Sequence, residues 1–171
     1  TQRLSQVFEK HGTRGTWYAH ASVGCLHVRP ILNMKTESGV KAMRGIAEEA
    51  CELVRRFKGS FSGEHGDGIS RSDFVEPMFG GPLTRAFEAV KDGFDPDNKL
   101  NPGKIVRSYH MDDRDLMRFA PGYATPVPAQ TALDWSDWGG FGGAVEMCNN
   151  NGTCRKMAGG TMCPSWRATQ D

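Results

Sequence analysis

Apolar residues recur at helical spacing over about residues 39–57, and this repeat restricts the fold more than any other feature of the sequence. Its apolar side chains fall on one helix face: Met43, Ile46, Ala47, Ala50, Leu53, Val54 and Phe57. Charged residues cover the opposite face, and Ser38 stands where an N-cap is expected. The pattern therefore predicts a long amphipathic helix that must pack its apolar face against another element.

Two apolar stretches precede this helix, at residues 16–20 and 25–32, and both are rich in aromatic or β-branched residues. A short loop separates them, so we predict a β-hairpin. Apolar residues at helical spacing predict a further helix over residues 1–11. The first part of the chain thus combines a helix with a hairpin.

Two shorter helices are predicted around residues 71–79 and 82–92. Pro82 suits the first turn of the second helix, because its missing N–H would be unpaired there. Turn-forming residues at 95–98 and 101–103 then close this part of the chain near residue 106. Together the elements predict an α+β fold, in which an antiparallel sheet is covered by helices.

The composition argues against two classes of function. The chain has 21 basic and 20 acidic residues and a net charge of +1, a balance that argues against a nucleic-acid partner. No run of eighteen apolar residues is present, so we expect no membrane span. Three of the five cysteines fall in the last 24 residues, unlike those of a disulfide scaffold. We therefore expect a reducing, cytoplasmic location, with a peripheral position at the inner membrane as the alternative.

The periodic pattern dissolves after residue 110, where prolines and glycines stand among small residues. We predict a first domain over residues 1–109, an irregular linker over 110–145 and the beginning of a second module over 146–171. Because the chain begins without Met, we also expect it to be a piece of a longer polypeptide.

His20 and His27 lie on opposite arms of the predicted hairpin, and Glu64 follows in a glycine-rich segment. Two imidazoles and a carboxylate suit zinc or a similar divalent first-row ion, and three protein ligands leave one position free for a substrate. Sequence spacing alone does not bring Glu64 to the hairpin. The alternative is two ordinary hydrogen-bonded strand histidines and an acidic loop residue.

Arg29 lies two residues beyond His27, so a strand would place both side chains on one face. Its guanidinium could bind a substrate carboxylate through two parallel hydrogen bonds, or pair with an acidic residue at the surface. Residues 63–68 read Gly-Glu-His-Gly-Asp-Gly, and such glycines let the backbone approach a bulky ligand closely. His65 could take up a proton there. A flexible glycine turn is the alternative, and the strings typical of phosphate-binding loops are missing.

Cys148, Cys154 and Cys163 form a third candidate site, and the last of them stands before a proline. A Cys-Pro pair is typical of iron–sulfur ligation, but a four-iron cluster normally takes four ligands and only three are present. A zinc knuckle or free thiols are the alternatives. We expect Cys25 and Cys51 to lie in the core.

Three motifs occur in a fixed order: His20-x6-His27, residues 63–68 and residues 98–104. They resemble the C-terminal half of FAD-linked oxidases, flavoproteins related to D-lactate dehydrogenase, the glycolate oxidase flavin subunit and D-2-hydroxyglutarate dehydrogenase. The resemblance covers about residues 1–107. The terminal cysteine segment is similar to the opening of the iron–sulfur module in large members of this family, which carry flavin and iron–sulfur parts on one polypeptide.

The resemblance implies that His20, His27 and Glu64 ligate a divalent metal, usually zinc, which holds the hydroxyl and carboxylate of a D-2-hydroxyacid. D-Lactate and D-2-hydroxyglutarate are the implied substrates. It further implies that His65 is the base that takes the hydroxyl proton while FAD accepts hydride from the α-carbon. A 4Fe-4S cluster would then drain the reduced flavin one electron at a time.

The resemblance also implies which residues bind the cofactor, and it bears on whether the substrate has a second carboxylate. The residues implied in cofactor binding are Gly66, Asp67, Gly68 and Asn101. Some relatives carry Asn where this chain has Arg29, a difference that indicates a second carboxylate on the substrate. The family's flavin-binding half precedes these motifs and is absent from the sequence. We therefore expect FAD to be bound mainly by that half, the 4Fe-4S site to be incomplete, and the chain alone to be an inactive fragment.

Two other functions stay open at this point. One is a metal-dependent hydrolase that uses His20, His27 and Glu64, with His65 as the base. The other is a non-catalytic segment for electron transfer or interaction. The expected partner is a small 2-hydroxyacid, and the electron acceptor is not indicated. Because strands upstream of the hairpin would leave a sheet edge exposed here, we expect association, as a homo-oligomer, or marginal stability.

Overall fold

The computed structural model describes residues 1–125, 131–148, 152, 156 and 168. They belong to two compact units, Thr1–Tyr123 and Ala124–Asp171. The helices are α1 (Gln2–Lys10), α2 (Glu37–Arg56), α3 (Gly68–Ser72), α4 (Val75–Phe79), α5 (Gly81–Phe94) and α6 (Phe141–Glu146), and the strands are β1 (Gly15–His20) and β2 (Cys25–Pro30). Short 3-10 turns occur at Ala21–Val23, Arg114–Leu116 and Ser136–Trp138. These helices and the small antiparallel sheet confirm the predicted α+β class.

The core of the first unit lies between the hairpin, α1 and α2. Its buried residues are Val7, Phe8 and Ile46, and the partly buried Trp17, Val28, Leu32 and Leu53 pack against them. In the antiparallel register, Trp17 pairs with Val28 and Tyr18 with His27. Side chains alternate along a strand, so Trp17 and Val28 face the core while Tyr18 and His27 face away from it.

Helix α2 confirms the predicted long helix but begins two residues earlier, and its N-cap is Thr36 rather than Ser38. Thr36 has an extended backbone, and its hydroxyl accepts a hydrogen bond from the Gly39 amide at 3.1 Å. Ser38 lies inside the first turn of the helix. The prediction of Ser38 as the cap is therefore wrong, because Thr36 reaches a free amide of the first turn from the position before the helix.

The helix predicted around residues 71–79 consists of two short helices, α3 and α4. Phe74 separates them with a φ of −101° and a ψ of 4°, and its ring is buried. The break lets Asp73 form an ion pair with Arg44 of α2, whose guanidinium lies 5.4 Å from the centre of the Phe74 ring. The break between α3 and α4 thus coincides with the contacts that Asp73 and Phe74 make with Arg44 of α2. Helix α5 confirms the next predicted helix, with Pro82 in its first turn.

The chain after residue 109 continues the first unit as far as Tyr123. Arg114 donates hydrogen bonds to the Glu37 carboxylate at 3.2 Å and to the Lys35 carbonyl at 3.3 Å. These bonds hold the segment against the start of α2. The division into a domain, a linker and a terminal module stays a prediction.

The second unit contains its own aromatic contact. The ring of Trp135 lies 5.8 Å from that of Phe141, the first residue of α6, measured between centroids. The Thr125 hydroxyl donates to Glu146, the last residue of α6, at 2.9 Å. Among the helices of the described residues, none has the length and apolar character needed to cross a membrane.

Asp95 holds the turn that follows α5. Its buried carboxylate accepts hydrogen bonds from the Lys99 and Leu100 amides at 2.9 and 2.8 Å and forms an ion pair with Lys91. The hydrogen bond from Lys91 lowers the pKa of Asp95 most, and together with the two amides it outweighs the effect of desolvation. The pKa of Asp95 therefore lies below its ordinary value, and the predicted turn at residues 95–98 is stabilised by charge.

We expect Asp95→Asn to unfold at a lower temperature than the wild type at pH 7, because the uncharged amide cannot replace both carboxylate oxygens as acceptors. A carboxylate whose folded pKa is lowered stabilises the protein above its unfolded pKa of about 3.9, and this contribution is lost as the pH falls through the folded pKa. The difference between the two proteins should therefore shrink below about pH 4. Asp97→Asn, at an exposed residue of the same turn, is the matched control. The unfolding temperatures of the wild type and of Asp95→Asn are measured from pH 7 to pH 3. A difference between them that stays constant over this range would contradict the expectation.

Candidate metal centre

The outer face of the hairpin carries two of the three predicted metal ligands. We define the outer face by the side chains that point away from the core: Thr16, Tyr18, His20, Cys25, His27 and Arg29. The register pairs Tyr18 with His27 and His20 with Cys25, so the two imidazoles are diagonal neighbours in adjacent rows. Their ring centroids lie 5.0 Å apart. The alternation of the strands thus brings both histidines to one surface.

A glycine-rich loop brings Glu64 to this face. The loop follows α2, and Gly63 has a φ of 56°, a conformation that residues with a side chain rarely adopt. A Cβ on Gly63 would lie 3.2 Å from the Cys25 Sγ, so the loop backbone runs close to the hairpin at this point. Glu64 Oε1 lies 2.7 Å from His27 Nε2 and 3.3 Å from His20 Nε2. The loop therefore completes a cluster of two imidazoles and one carboxylate.

Two side chains of α3 anchor the far end of this loop. Ser72 is buried, and its hydroxyl donates to the Gly68 carbonyl and accepts a hydrogen bond from the Ile105 amide at 2.7 Å. Arg71 donates to the Gly66 carbonyl at 3.2 Å. Sequence reasoning missed both residues, because a serine and an arginine in a short helix have no distinctive spacing.

The three ligand atoms lie within 4.8 Å of one another. His27 Nε2 is buried and has no hydrogen-bond partner among the described residues, although Glu64 Oε1 lies 2.7 Å from it. An unpaired buried polar group costs about 1–3 kcal/mol, a cost that coordination of a cation would remove. Two imidazole nitrogens and a carboxylate oxygen also form the ligand set of some catalytic zinc sites. These residues therefore fit a divalent metal ion.

Glu64 is the electrostatic centre of the cluster. Desolvation raises the pKa of Glu64, but the Coulombic attraction of His20 and His27 and the hydrogen bond from His65 together outweigh it. The pKa of Glu64 therefore lies below its ordinary value, and the carboxylate is ionised at neutral pH. An ionised carboxylate only accepts hydrogen bonds. In the neutral form of the His65 imidazole, Nε2 therefore carries the hydrogen of the 3.2 Å hydrogen bond to Glu64, and the lone pair lies on Nδ1.

Arg29 lies on the outer face together with His27, as the strand spacing predicts. Its side chain is exposed and has neither a hydrogen bond nor an ion pair with the described residues. The Cζ atom lies 5.2 Å from the centre of the Tyr18 ring. Sequence reasoning missed Tyr18, although its position two residues before His20 places it on the same face of β1. The guanidinium is therefore available to a ligand at the edge of the metal cluster.

The residues predicted to bind the cofactor lie in two places. Gly68 and Asn101 line one groove of about 590 Å³, to which α5 contributes apolar side chains. Gly66 and Asp67 lie in the loop before α3 and do not line this groove. The structure thus brings together two of the four residues.

The predicted cysteine site lies mostly outside the described residues. Cys148 is exposed just after α6, and Cys154 and Cys163 are not among the residues described. The iron–sulfur site therefore stays a prediction. Cys51 is buried as predicted, and its burial raises the pKa of the thiol. Cys25 is only partly buried, so the prediction that it lies in the core is wrong. Because side chains alternate along β2, the Cys25 side chain lies on the outer face, opposite His20.

Comparisons with known proteins agree with the motifs. Residues 1–105 match the family described as FAD linked oxidases, C-terminal domain. The D-2-hydroxyglutarate dehydrogenase of Pseudomonas putida KT2440 is 34% identical over 166 residues, and that of Escherichia coli K12 is 33% identical over 169 residues. Each match covers 96% of this chain and 16% of the relative. The glycolate oxidase subunit GlcD of Escherichia coli K12 is 32% identical over 108 residues, 63% of this chain and 21% of that protein.

These matches define the family and the extent of the likeness. No solved structure matches the chain significantly. The chain spans 16% of the length of the D-2-hydroxyglutarate dehydrogenases that it resembles. The family match covers more than half of the chain and includes the hairpin and the glycine-rich loop. The chain therefore belongs to the C-terminal domain family of FAD-linked oxidases.

Proposed function

We propose that this chain supplies the substrate-binding and metal-binding residues of an FAD-dependent dehydrogenase that oxidises a D-2-hydroxyacid of the D-lactate or D-2-hydroxyglutarate type. The observation that carries the proposal is the convergence of His20, His27 and Glu64 on one point, with His65 beside them. Similar proteins are a D-2-hydroxyglutarate dehydrogenase and a D-lactate dehydrogenase, and these activities support the substrate class.

The metal ligands in this proposal are His20 Nε2, His27 Nε2 and Glu64 Oε1. Zinc suits the nitrogen and oxygen donor set, and three protein ligands leave room for a substrate. A divalent ion at this point would bind the hydroxyl and carboxylate oxygens of the hydroxyacid and favour loss of the hydroxyl proton. The loop backbone next to Cys25 keeps Glu64 in place over the hairpin.

His65 is the proton acceptor in this proposal. Its Nε2–H is held by Glu64, which orients the ring and leaves the Nδ1 lone pair to take the hydroxyl proton. FAD would accept the hydride from the α-carbon, so the alcohol becomes a ketone and the product is a 2-oxoacid.

Arg29 binds a carboxylate of the substrate through its free guanidinium. Gly68 and Asn101 offer the groove beside α5 to the cofactor, with Gly66 and Asp67 next to it.

The proposal extends to the route of the electrons. The cysteines Cys148, Cys154 and Cys163 would take part in binding a 4Fe-4S cluster that receives electrons from the reduced flavin. The match to the D-2-hydroxyglutarate dehydrogenases extends over 96% of this chain, a share that includes most of the cysteine segment. We also propose a cytoplasmic protein, at most peripheral to the inner membrane, that forms a homo-oligomer and has no nucleic-acid partner.

The proposed function is tested by mixing the flavin-loaded holoenzyme with D-2-hydroxyglutarate or D-lactate without oxygen. We expect the flavin absorbance to bleach, with one 2-oxoacid formed for each flavin reduced, and the L-enantiomers to leave the flavin oxidised. A flavin that stays oxidised with both D-hydroxyacids would contradict the proposal. Metal-dependent hydrolysis without flavin would favour the hydrolase instead.

A further inference from the structure

We propose that Tyr18 is a positioning residue that tilts Arg29 toward the metal ligands, so that the site selects 2-hydroxyacids with a second carboxylate. The proposal rests on the proposed function and deepens it, because it names the residue pair that reads the far end of the substrate. Tyr18 lies outside the His20-x6-His27 motif. Its role follows from its place in the hairpin register.

The register divides the outer face into three rows. Thr16 stands opposite Arg29, Tyr18 opposite His27, and His20 opposite Cys25. Arg29 therefore begins one row away from the Tyr18–His27 row, at a spacing of about 7 Å along the strand. Because His27 is one of the three metal ligands, the Tyr18–His27 row is nearer to the metal cluster than the row of Arg29.

The contact between Arg29 and Tyr18 joins the Thr16–Arg29 row to the Tyr18–His27 row. The Arg29 Cζ lies 5.2 Å from the centre of the Tyr18 ring, within the range of a cation–π interaction. An arginine that extended straight out from the sheet would stay over Thr16. The stack instead directs the guanidinium toward the row that contains His27, so the ring of Tyr18 sets the direction of the side chain.

The guanidinium remains able to bind an anion in this position. Arg29 has no hydrogen bond or ion pair with any residue in the described part of the chain, and Glu64 is the acid of the neighbouring cluster, where it contacts the imidazoles. Stacking uses one flat face of a guanidinium and leaves its N–H edge free for a bidentate carboxylate. A positive charge beside a three-ligand metal cluster suits a ligand with two separated anionic groups.

The ligand class follows from this arrangement. One end of the substrate, the hydroxyl and its adjacent carboxylate, would occupy the metal cluster. The other end would reach Arg29, and only a 2-hydroxy dicarboxylate has a carboxylate to place there. A 2-hydroxy monocarboxylate such as D-lactate would leave Arg29 without a partner. Tyr18 and Arg29 would therefore decide between these two classes.

The test compares the holoenzyme with the variants Tyr18→Leu, Tyr18→Phe and Arg29→Met. The readout is the ratio of kcat/KM for D-2-hydroxyglutarate to that for D-lactate, measured from flavin reduction, together with the Kd of each hydroxyacid. We expect Tyr18→Leu to lower the ratio about tenfold through a higher KM for the dicarboxylate. Arg29→Met should lower it about 100-fold. Tyr18→Phe keeps the aromatic ring and should keep the ratio.

The outcomes separate this inference from the proposed function. A ratio unchanged in Tyr18→Leu, with flavin reduction intact, would overturn the role of Tyr18 and leave the dehydrogenase standing. An equal loss of kcat/KM for both substrates in Tyr18→Leu would show that Tyr18 has a merely structural role, and this result would also overturn the inference. Selective binding of the dicarboxylate that depends on Tyr18, without any flavin reduction, would support the inference and overturn the proposed function. Binding of neither hydroxyacid would overturn both.

Discussion

Replacing His65 by glutamine is expected to lower the rate of flavin reduction by a D-2-hydroxyacid about 10²–10⁴-fold, the range for loss of a general base. Glutamine can still donate an N–H to Glu64, as His65 Nε2 does at 3.2 Å. It has no basic nitrogen to replace Nδ1, so only the proton-accepting function is removed. Stopped-flow measurement of flavin bleaching, with the holoenzyme in the absence of oxygen, gives the rate directly.

The control for this variant is His110→Gln, because the His110 side chain is 77% exposed and contacts Asp73 rather than the metal cluster. Its rate should equal that of the wild type. The metal content of His65→Gln should also be unchanged, since its own imidazole is not one of the three ligands. A rate for His65→Gln within a factor of two of the wild type would contradict the assignment of His65 as the base.

Replacing Phe8 by alanine is expected to lower the free energy of unfolding by about 3–5 kcal/mol. Phe8 is 2% exposed and lies in the core between α1, α2 and the hairpin, with its ring centroid 5.8 Å from that of Trp17. The ring also occupies the space beside Gly15, where a Cβ would overlap it. Alanine would leave a cavity that the hairpin on one side and α2 on the other cannot easily close. Urea unfolding followed by tryptophan fluorescence measures the loss.

Phe94→Ala is the matched control, since the same ring at the end of α5 is 87% exposed. Its unfolding free energy should stay within about 0.5 kcal/mol of the wild type. A loss of less than about 1 kcal/mol in Phe8→Ala would contradict the placement of the core, because a buried phenylalanine at its centre removes far more apolar contact.

The elements that the sequence predicted well are those with a clear period. Helix α2 has one apolar face over five turns, and inward-facing and outward-facing side chains alternate along the two strands of the hairpin. Local spacing is therefore enough to predict these elements. The sequence predicts one helix around residues 71–79, because spacing along the chain reveals neither the break at Phe74 nor the ion pair between Asp73 and Arg44 of α2 that accompanies it. The N-cap was misplaced because Thr36 and Ser38 offer the same hydroxyl group, and only the backbone decides between them.

The candidate site divides in the same way. A period of two places His20 and His27 on one face, and the antiparallel register brings them together. The position of Glu64 depends on a loop that runs close to the hairpin at Gly63 and that Arg71 of α3 contacts at the Gly66 carbonyl, so spacing along the chain cannot predict it. The ordered motifs of the family supplied that link. Residue type alone predicts a core position for Cys25, whereas the alternation of β2 places its side chain on the outer face.

Elemental analysis of the purified protein for zinc, manganese and iron tests most directly the claim that His20, His27 and Glu64 hold a divalent metal ion. We predict about one divalent ion per chain in the wild type, its loss in His27→Ala, and its retention in His110→Ala, a histidine outside the cluster. Desalting into metal-free buffer before the analysis removes loosely associated ions, and the terminal cysteines are alkylated so that they do not contribute. Metal that persists in His27→Ala, or a wild type that binds none when zinc is supplied, would contradict the account.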